Sequence, residues 1–141
     1  MNVEVRYYSQ TGNTKKLADA VALAAGVQAK TIDTPVREWT DVLFLGAAVY
    51  WAGIDSKVRE FVASLAPEKV DKVAIFSNSA LAERAYPALA KAIRDRGIEV
   101  EDEDFYCRGQ FKILHRGHPN ATDIENAYAF AKRILLKDTV K

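Results

Sequence analysis

Six consecutive residues, Ser9, Gln10, Thr11, Gly12, Asn13 and Thr14, put three hydroxyls, two carboxamides and one glycine directly after an apolar segment, a set suited to wrapping an anion. Gly12 lets the backbone curl around the anion with no Cβ in the way. No lysine lies inside the loop, so the positive charge must come from the helix that follows. Its unpaired N–H groups and dipole contribute roughly 0.3–1 kcal/mol, or about 2 kcal/mol when partly buried. Each charge-assisted hydrogen bond adds about 1.5–3 kcal/mol. The residues match neither a Walker A loop nor the G-x-G-x-x-G dinucleotide fingerprint. Thr, Gly and Asn also serve in plain strand-to-helix turns and helix caps, so the flanking elements must decide.

Those elements alternate. Val3 to Tyr8 reads as a strand, and a helix is expected from Asn13 to Ala25 with Leu17, Val21 and Ala24 or Ala25 on one face and Gly26 as its stop. Val27 to Ile32 reads as a half-polar strand. Asp41 to Val49 is a near-continuous apolar run, the pattern of a central parallel strand buried on both faces. Asp55 or Ser56 caps a second helix, with Val58, Phe61, Val62 and Leu65 inward and Pro67 beyond its end. Val70 to Ser77 is another buried strand, and a third helix is expected near Arg84 to Arg96, with Ala85, Leu89, Ala92 and Ile93 inward and Gly97 as its stop. In Ile98 to Cys107, alternating Glu99, Glu101 and Glu103 suggest an edge strand with one rim in water. Arg108 to His118 is a basic connection. Thr122-Asp123-Ile124-Glu125 reads as a capping box opening a last helix, whose stripe is Ile124, Ala127 or Tyr128, Ala131, Ile134 and Leu135.

Strand–helix repetition of this kind predicts an α/β fold: a doubly wound parallel sheet with helices on both faces. At 141 residues, 49% hydrophobic and 28% charged, the chain reads as one globular domain spanning 1–141. The net charge of +1 supplies no broad basic field, which argues against nucleic acid as a partner. No apolar run approaches the ~18 residues of a membrane span. A first strand beginning almost at Met1 and a single cysteine point to the cytoplasm.

Following an apolar strand, Ser9-Gln10-Thr11-Gly12-Asn13-Thr14 resembles the S/T-x-T-G-x-T phosphate loop of the flavodoxin family, which holds the phosphate of FMN. The resemblance extends over essentially the whole chain. It implies a flavodoxin-like three-layer sandwich whose five-stranded parallel sheet has the order 2-1-3-4-5. Ligands then bind outside the carboxyl ends of strands one and three. Val49, Tyr50, Trp51, Ala52 and Gly53 resemble the second flavin loop, in which an aromatic flanks the isoalloxazine and a glycine near the flavin N5 turns its peptide; relatives often have proline where Ala48 stands. Taken by itself, Trp51 serves equally well as cover for the end of the core or as a protein contact. Ser77, Asn78, Ser79 and Ala80 suit polar contacts to the pyrimidine edge. The aromatic stacker many flavodoxins carry in that region has no counterpart, Tyr86 lying too far into a helix and Tyr106 beyond the next one.

Other features point less far. Tyr106-Cys107-Arg108-Gly109-Gln110-Phe111 resembles a Cys-x-Gly segment of flavodoxin-like proteins, and a buried cysteine in a tight turn fits it better than catalysis does, since no histidine is local to activate the thiol. His115 and His118 lack the further ligands of a metal site. The sequon Asn120-Ala121-Thr122 is accounted for by Thr122 as a cap. A receiver domain needs carboxylates at the ends of strands one and three, and a small tyrosine phosphatase needs Cys and Arg in the first loop; neither set is present.

The resemblance implies a non-covalent FMN protein that shuttles electrons between a reductase and an acceptor, with no catalytic residue of its own and no metal. Two alternatives stay open: an FMN-dependent NAD(P)H:quinone-type reductase, and a flavin-free interaction module of the same fold. One departure from the family concerns the partner. Flavodoxins are commonly strongly acidic, whereas here the acidic Glu99 to Asp104 and the basic Arg108 to Arg116 are local patches expected to face different partners.

Overall fold

The structure is a computed structural model that describes residues 1–50, 53–79, 84–109, 117 and 119–139. In chain order its elements are β1 (Val3–Tyr7), α1 (Asn13–Ala25), β2 (Ala29–Thr31), β3 (Thr40–Tyr50), β4 (Gly53–Ile54), α2 (Ser56–Ser64), β5 (Val70–Ser79), α3 (Tyr86–Arg94), β6 (Glu99–Val100), β7 (Phe105–Arg108) and α4 (Ala121–Thr139). The sheet runs β2-β1-β3-β5-β6, with β7 also paired to β5 and β4 to β3. All these pairings are parallel except β3–β4, where Val49 meets Ile54 and Tyr50 meets Gly53. The fold is thus the expected flavodoxin-like sandwich, with five strand positions in the order 2-1-3-4-5.

Strand alternation sorts the core into two layers. Leu43, Leu45, Ala47 and Val49 of β3, with Val73 and Ile75 of β5, pack on Val58, Phe61 and Val62 of α2 and Leu89, Ala90 and Ile93 of α3. On the opposite face Val5, Tyr7, Val42, Phe44, Ala74 and Phe76 pack on Leu17, Ala18 and Val21 of α1 and Ala127, Phe130, Ala131 and Ile134 of α4. Gly46 belongs to this second face, where a Cβ would lie 2.2 Å from a ring carbon of Phe76. Only glycine lets that ring close over β3.

Four sequence expectations need correction. The fifth strand is not continuous: β6 and β7 are separated by 101–104, and both align with β5. Of the acidic residues in that break only Asp102 is turned to water, with Glu99 of β6 beside it. Glu101 pairs with Lys72 and Lys137, Glu103 with Arg133 and Lys137, and Asp104 with Arg84. The Glu101 N–H still donates to the Val73 carbonyl at 2.8 Å, so the chain leaves β5 only after Glu101. The capping box of α4 lies two residues earlier than Thr122: the Asp123 N–H donates to Asn120 Oδ1 and the Asn120 N–H to Asp123 Oδ2, both at 2.9 Å. Asn120, not Thr122, therefore caps the helix, and the apolar stripe includes Phe130 while Tyr128 is exposed. Finally, α3 is shorter than expected at both ends, and Ala90 is fully buried in the core against which the expected Ala92 packs half-buried.

Candidate phosphate-loop site

At the carboxyl end of β1 the chain turns through Ser9 to Gly12 into α1. The Gly12 N–H donates to Ser9 Oγ at 2.9 Å, closing the turn, and Gly12 takes φ +88°, a left-handed conformation that glycine adopts without steric cost. Regular helix bonding begins with the Lys16 N–H to Gly12 O at 3.2 Å, so the amides of Asn13, Thr14 and Lys15 make up the first turn ahead of it. Among the described residues no side chain caps α1, and its first turn holds no acidic residue. By contrast, α2 is capped by Asp55, whose Oδ1 accepts the Lys57 N–H at 2.8 Å. A helix start with neither a side-chain cap nor a first-turn carboxylate among the described residues is chemically matched to an anion.

The same end of the sheet gathers the buried polar side chains. Asn13, Thr14, Ser77, Asn78 and Ser79 are all buried there, whereas Arg6, Thr40 and Lys72 account for the other buried polar or charged residues described. Thr14 Oγ1 donates to Asn78 Oδ1 at 2.6 Å, and Ser79 Oγ donates to the Val49 carbonyl at 3.4 Å. Ser77 Oγ is fully buried and has no hydrogen-bond partner among the described residues. An orphan buried hydroxyl costs about 1–3 kcal/mol, and a polar group brought to this end of the sheet would relieve it.

The structure brings the loop after β1 and the polar end of β5 together through Thr14 and Asn78, with the end of β3 beside them. Val49 is buried, and Gly53, at φ +86°, pairs with Tyr50. Trp51, Ala52 and Ala80 lie outside the described residues, as do Gln110, Phe111, His115 and His118. Thr11 is exposed, and Gln10 reaches across the cleft, its Nε2 donating to Asp55 Oδ2 at 3.1 Å. Asp55 thus ties the first loop to the start of α2, a link that sequence spacing does not reveal because the two residues are 45 positions apart.

Residues on β7 also reach this region. Tyr106 aligns with Ser77 and Arg108 with Ser79. Arg108 Nη1 donates to Tyr106 Oη at 2.7 Å, and the guanidinium carbons of Arg108 and Arg84 lie 5.6 and 5.7 Å from the Tyr106 ring centre. Reading outward along the sequence sets Tyr106 far from the loop after β5, whereas the parallel register puts it beside that strand's end. The neighbouring Cys107 is buried, and desolvation, aided by the charge of Asp123, pushes its thiol up to about 12. A thiol held protonated in this way is no nucleophile. Among the described residues no cluster of His, Cys, Asp and Glu could hold a metal ion, and no helix is long and apolar enough to cross a membrane.

Comparison with known proteins defines the class to which this architecture belongs. A flavodoxin from the domain Archaea superposes with a TM-score of 0.80 at 21% identity, covering 99% of both chains. The NAD(P)H:quinone oxidoreductase from Methanothermobacter marburgensis superposes at 0.60 with 11% identity, covering 95% of this chain and 98% of that one. The chain has the flavodoxin fold. In sequence it is similar to an uncharacterised protein of Methanocaldococcus jannaschii, at 29% identity over 87% of this chain and 90% of that protein. No family model matches the chain.

Proposed function

We propose that the chain is a flavodoxin-like protein, a single domain over 1–141, that binds one FMN without covalent attachment and carries electrons between cytoplasmic redox partners, a reductase and an acceptor. The observation that carries this reading is the uncapped start of α1, with no acidic residue in its first turn, entered through Ser9–Thr14. Its place outside the carboxyl ends of β1 and β3, where the sheet order reverses, supports it. The residues present fit the group. The first-turn amides of α1 would hold the phosphate, with Gly12 keeping the approach open and Ser9 holding the turn. Tyr50, Trp51 and Gly53 would border the ring system, and Ser77, Ser79 and Ala80 its polar edge. Bound FMN would supply one- and two-electron transfer, and the protein's dipoles and aromatics would set its potentials.

Titration of the purified protein with FMN and with riboflavin tests the reading. Saturation by FMN at one per chain, with riboflavin at least about tenfold weaker, is expected if the loop contributes even one charge-assisted hydrogen bond. Equal affinity for the two, or no saturation by either, removes the assignment; the second result leaves the flavin-free module. The fold is shared with a quinone oxidoreductase, which keeps an enzyme as the second reading. Steady-state oxidation of NADH or NADPH by the isolated holo protein, saturable in quinone and lost on removing FMN, would establish the enzyme. Rapid reduction only when a reductase is added supports the carrier.

A further inference from the structure

The Thr14 hydroxyl belongs to the loop motif, yet in this structure it turns inward. Its proton goes to Asn78 Oδ1 across a buried 2.6 Å hydrogen bond between residues 64 positions apart in the chain. Asn78, 3% exposed, stands on the face of β5 that α1 and α4 cover, so its carboxamide lies under the first turn of α1 rather than over the end of the sheet. The other side of that carboxamide is closed by Gly109, which follows β7. A Cβ on Gly109 would fall 2.3 Å from Asn78 Nδ2 and 3.1 Å from Asn13 Nδ2. The Gly109 N–H is in turn held by the Ser79 carbonyl at 3.2 Å. Thr14, Asn78 and Gly109 therefore form one buried string that joins the loop after β1, the end of β5 and the exit of β7.

We propose that Asn78 is a positioning residue for the phosphate loop: it fixes Thr14, and with it the amides at the start of α1, so that phosphate recognition depends on a side chain of β5 that lies outside the loop. This role rests on the FMN reading above. In place of the contact with the ring that the resemblance implied for Asn78, it assigns control of phosphate selectivity. The physical reason is that a hydroxyl has one proton. The buried bond to Asn78 therefore pins Thr14 and the first turn of α1 against the end of β5, which keeps the backbone amides beside it in place for an anion. A side chain at 109 would meet the Asn78 carboxamide at 2.3 Å and displace it from its place beside Thr14.

The test measures FMN and riboflavin affinity for Asn78→Ala, Gly109→Ala, Thr14→Val and Thr14→Ser, together with amide hydrogen exchange at residues 12–16 in the ligand-free proteins. Asn78→Ala, Gly109→Ala and Thr14→Val should each weaken FMN by about tenfold or more and leave riboflavin little changed. Thr14→Ser, which keeps the hydroxyl, should restore FMN binding. The double variant Asn78→Ala/Thr14→Val should be no weaker than the worse single one, because both remove the same bond. Exchange at the start of α1 should speed up in all but Thr14→Ser. Additive losses, parallel losses for FMN and riboflavin, or unchanged exchange overturn the proposal. If Asn78→Ala fails to fold, Gly109→Ala and Thr14→Val break the same hydrogen bond from its other sides and decide the matter. Should the unmodified protein bind neither flavin, the cofactor reading fails by itself, and the exchange data alone decide for or against the role of Asn78.

Discussion

Lys72 on β5 and Glu101 in the break of the edge strand form an ion pair at 3.0 Å, with the lysine side chain 2% and the glutamate 11% exposed. Asp138 of α4 lies 3.5 Å from the same ammonium, and Lys137 3.6 Å from the same carboxylate. This cluster fastens the last helix to the edge of the sheet at a point where β6 and β7 leave a gap in the ladder. Removing the cation takes this partner from Asp138 and leaves Glu101 with Lys137 alone, and breaking a buried pair from one side typically costs about 3–5 kcal/mol. Lys72→Met should therefore lower stability by about 3 kcal/mol in urea unfolding, and a loss below about 1 kcal/mol would show that the pair is merely tolerated. Glu101→Gln should cost less, because Asp138 remains as a partner for Lys72.

The pH dependence follows from the same cluster. Burial acts to raise the carboxyl pKa of Glu101, but the hydrogen bond and charge of Lys72, with help from Lys137, outweigh it and hold the group below its ordinary 4.5. Glu103 is likewise lowered, its burial outweighed by Arg133 and Lys137. As pH falls, the unfolded chain binds these protons before the folded one does. The stabilisation is thus complete above about 4.5 and disappears as pH drops through the lowered folded values. Lys137 behaves in the opposite sense: the hydrogen bond from its ammonium to Glu103 raises its pKa above 10.5, so its contribution is complete below that value and is lost as pH rises through the raised one. Urea midpoints measured across the acid range should fall on acidification, and Glu103→Gln should flatten that fall. An unchanged acid slope in Glu103→Gln would exclude the cluster as its source.

Cys107 should resist modification in the native state. With its thiol pushed up to about 12, almost no thiolate exists at pH 8, and the sulfur is buried as well. A disulfide reagent should label the folded protein only at the rate of global or local opening and should react fully in denaturant. Immediate stoichiometric labelling of native protein would contradict the burial.

Gly46→Ala should destabilise the core without touching the loop. The new methyl would stand 2.2–3.0 Å from three ring atoms of Phe76, which is wholly buried and has nowhere to swing. Overpacking of this kind costs about 1–3 kcal/mol, readable as a lowered urea midpoint. A neutral result would mean that β3 and β5 can shift apart at that register.

The two possible caps of α4 can be told apart directly. Asn120→Ala removes the side-chain acceptor for the Asp123 N–H and should cost about 1 kcal/mol, whereas Thr122→Ala should be nearly neutral. Equal losses in thermal or urea unfolding would restore Thr122 to a capping role.

Local signals in the sequence determined the strand–helix alternation, the run of α1 from Asn13 to Gly26, the central place of β3, the cap at Asp55 and the Ser9–Thr14 loop. Each depends on residues within a few positions of one another: the helix period, a continuous apolar run, a glycine at positive φ. The rest was decided by contacts between distant segments, to which local pattern is blind. The acidic alternation of Glu99, Glu101 and Glu103 reads as a wet edge strand until Lys72, Arg133 and Lys137 arrive from β5 and α4 and pair with Glu101 and Glu103, leaving Glu99 exposed. The shift of the α4 cap to Asn120 has a different cause. Both Asn120–Asp123 and Thr122–Glu125 fit a capping spacing, and the entry of the chain into the helix selects between them. At the site, local sequence named the loop, but parallel register carried Asn78 beneath Thr14 and Tyr106 beside Ser77. A parallel sheet pairs strands separated by whole helices, so those neighbours exist only once the sheet has closed.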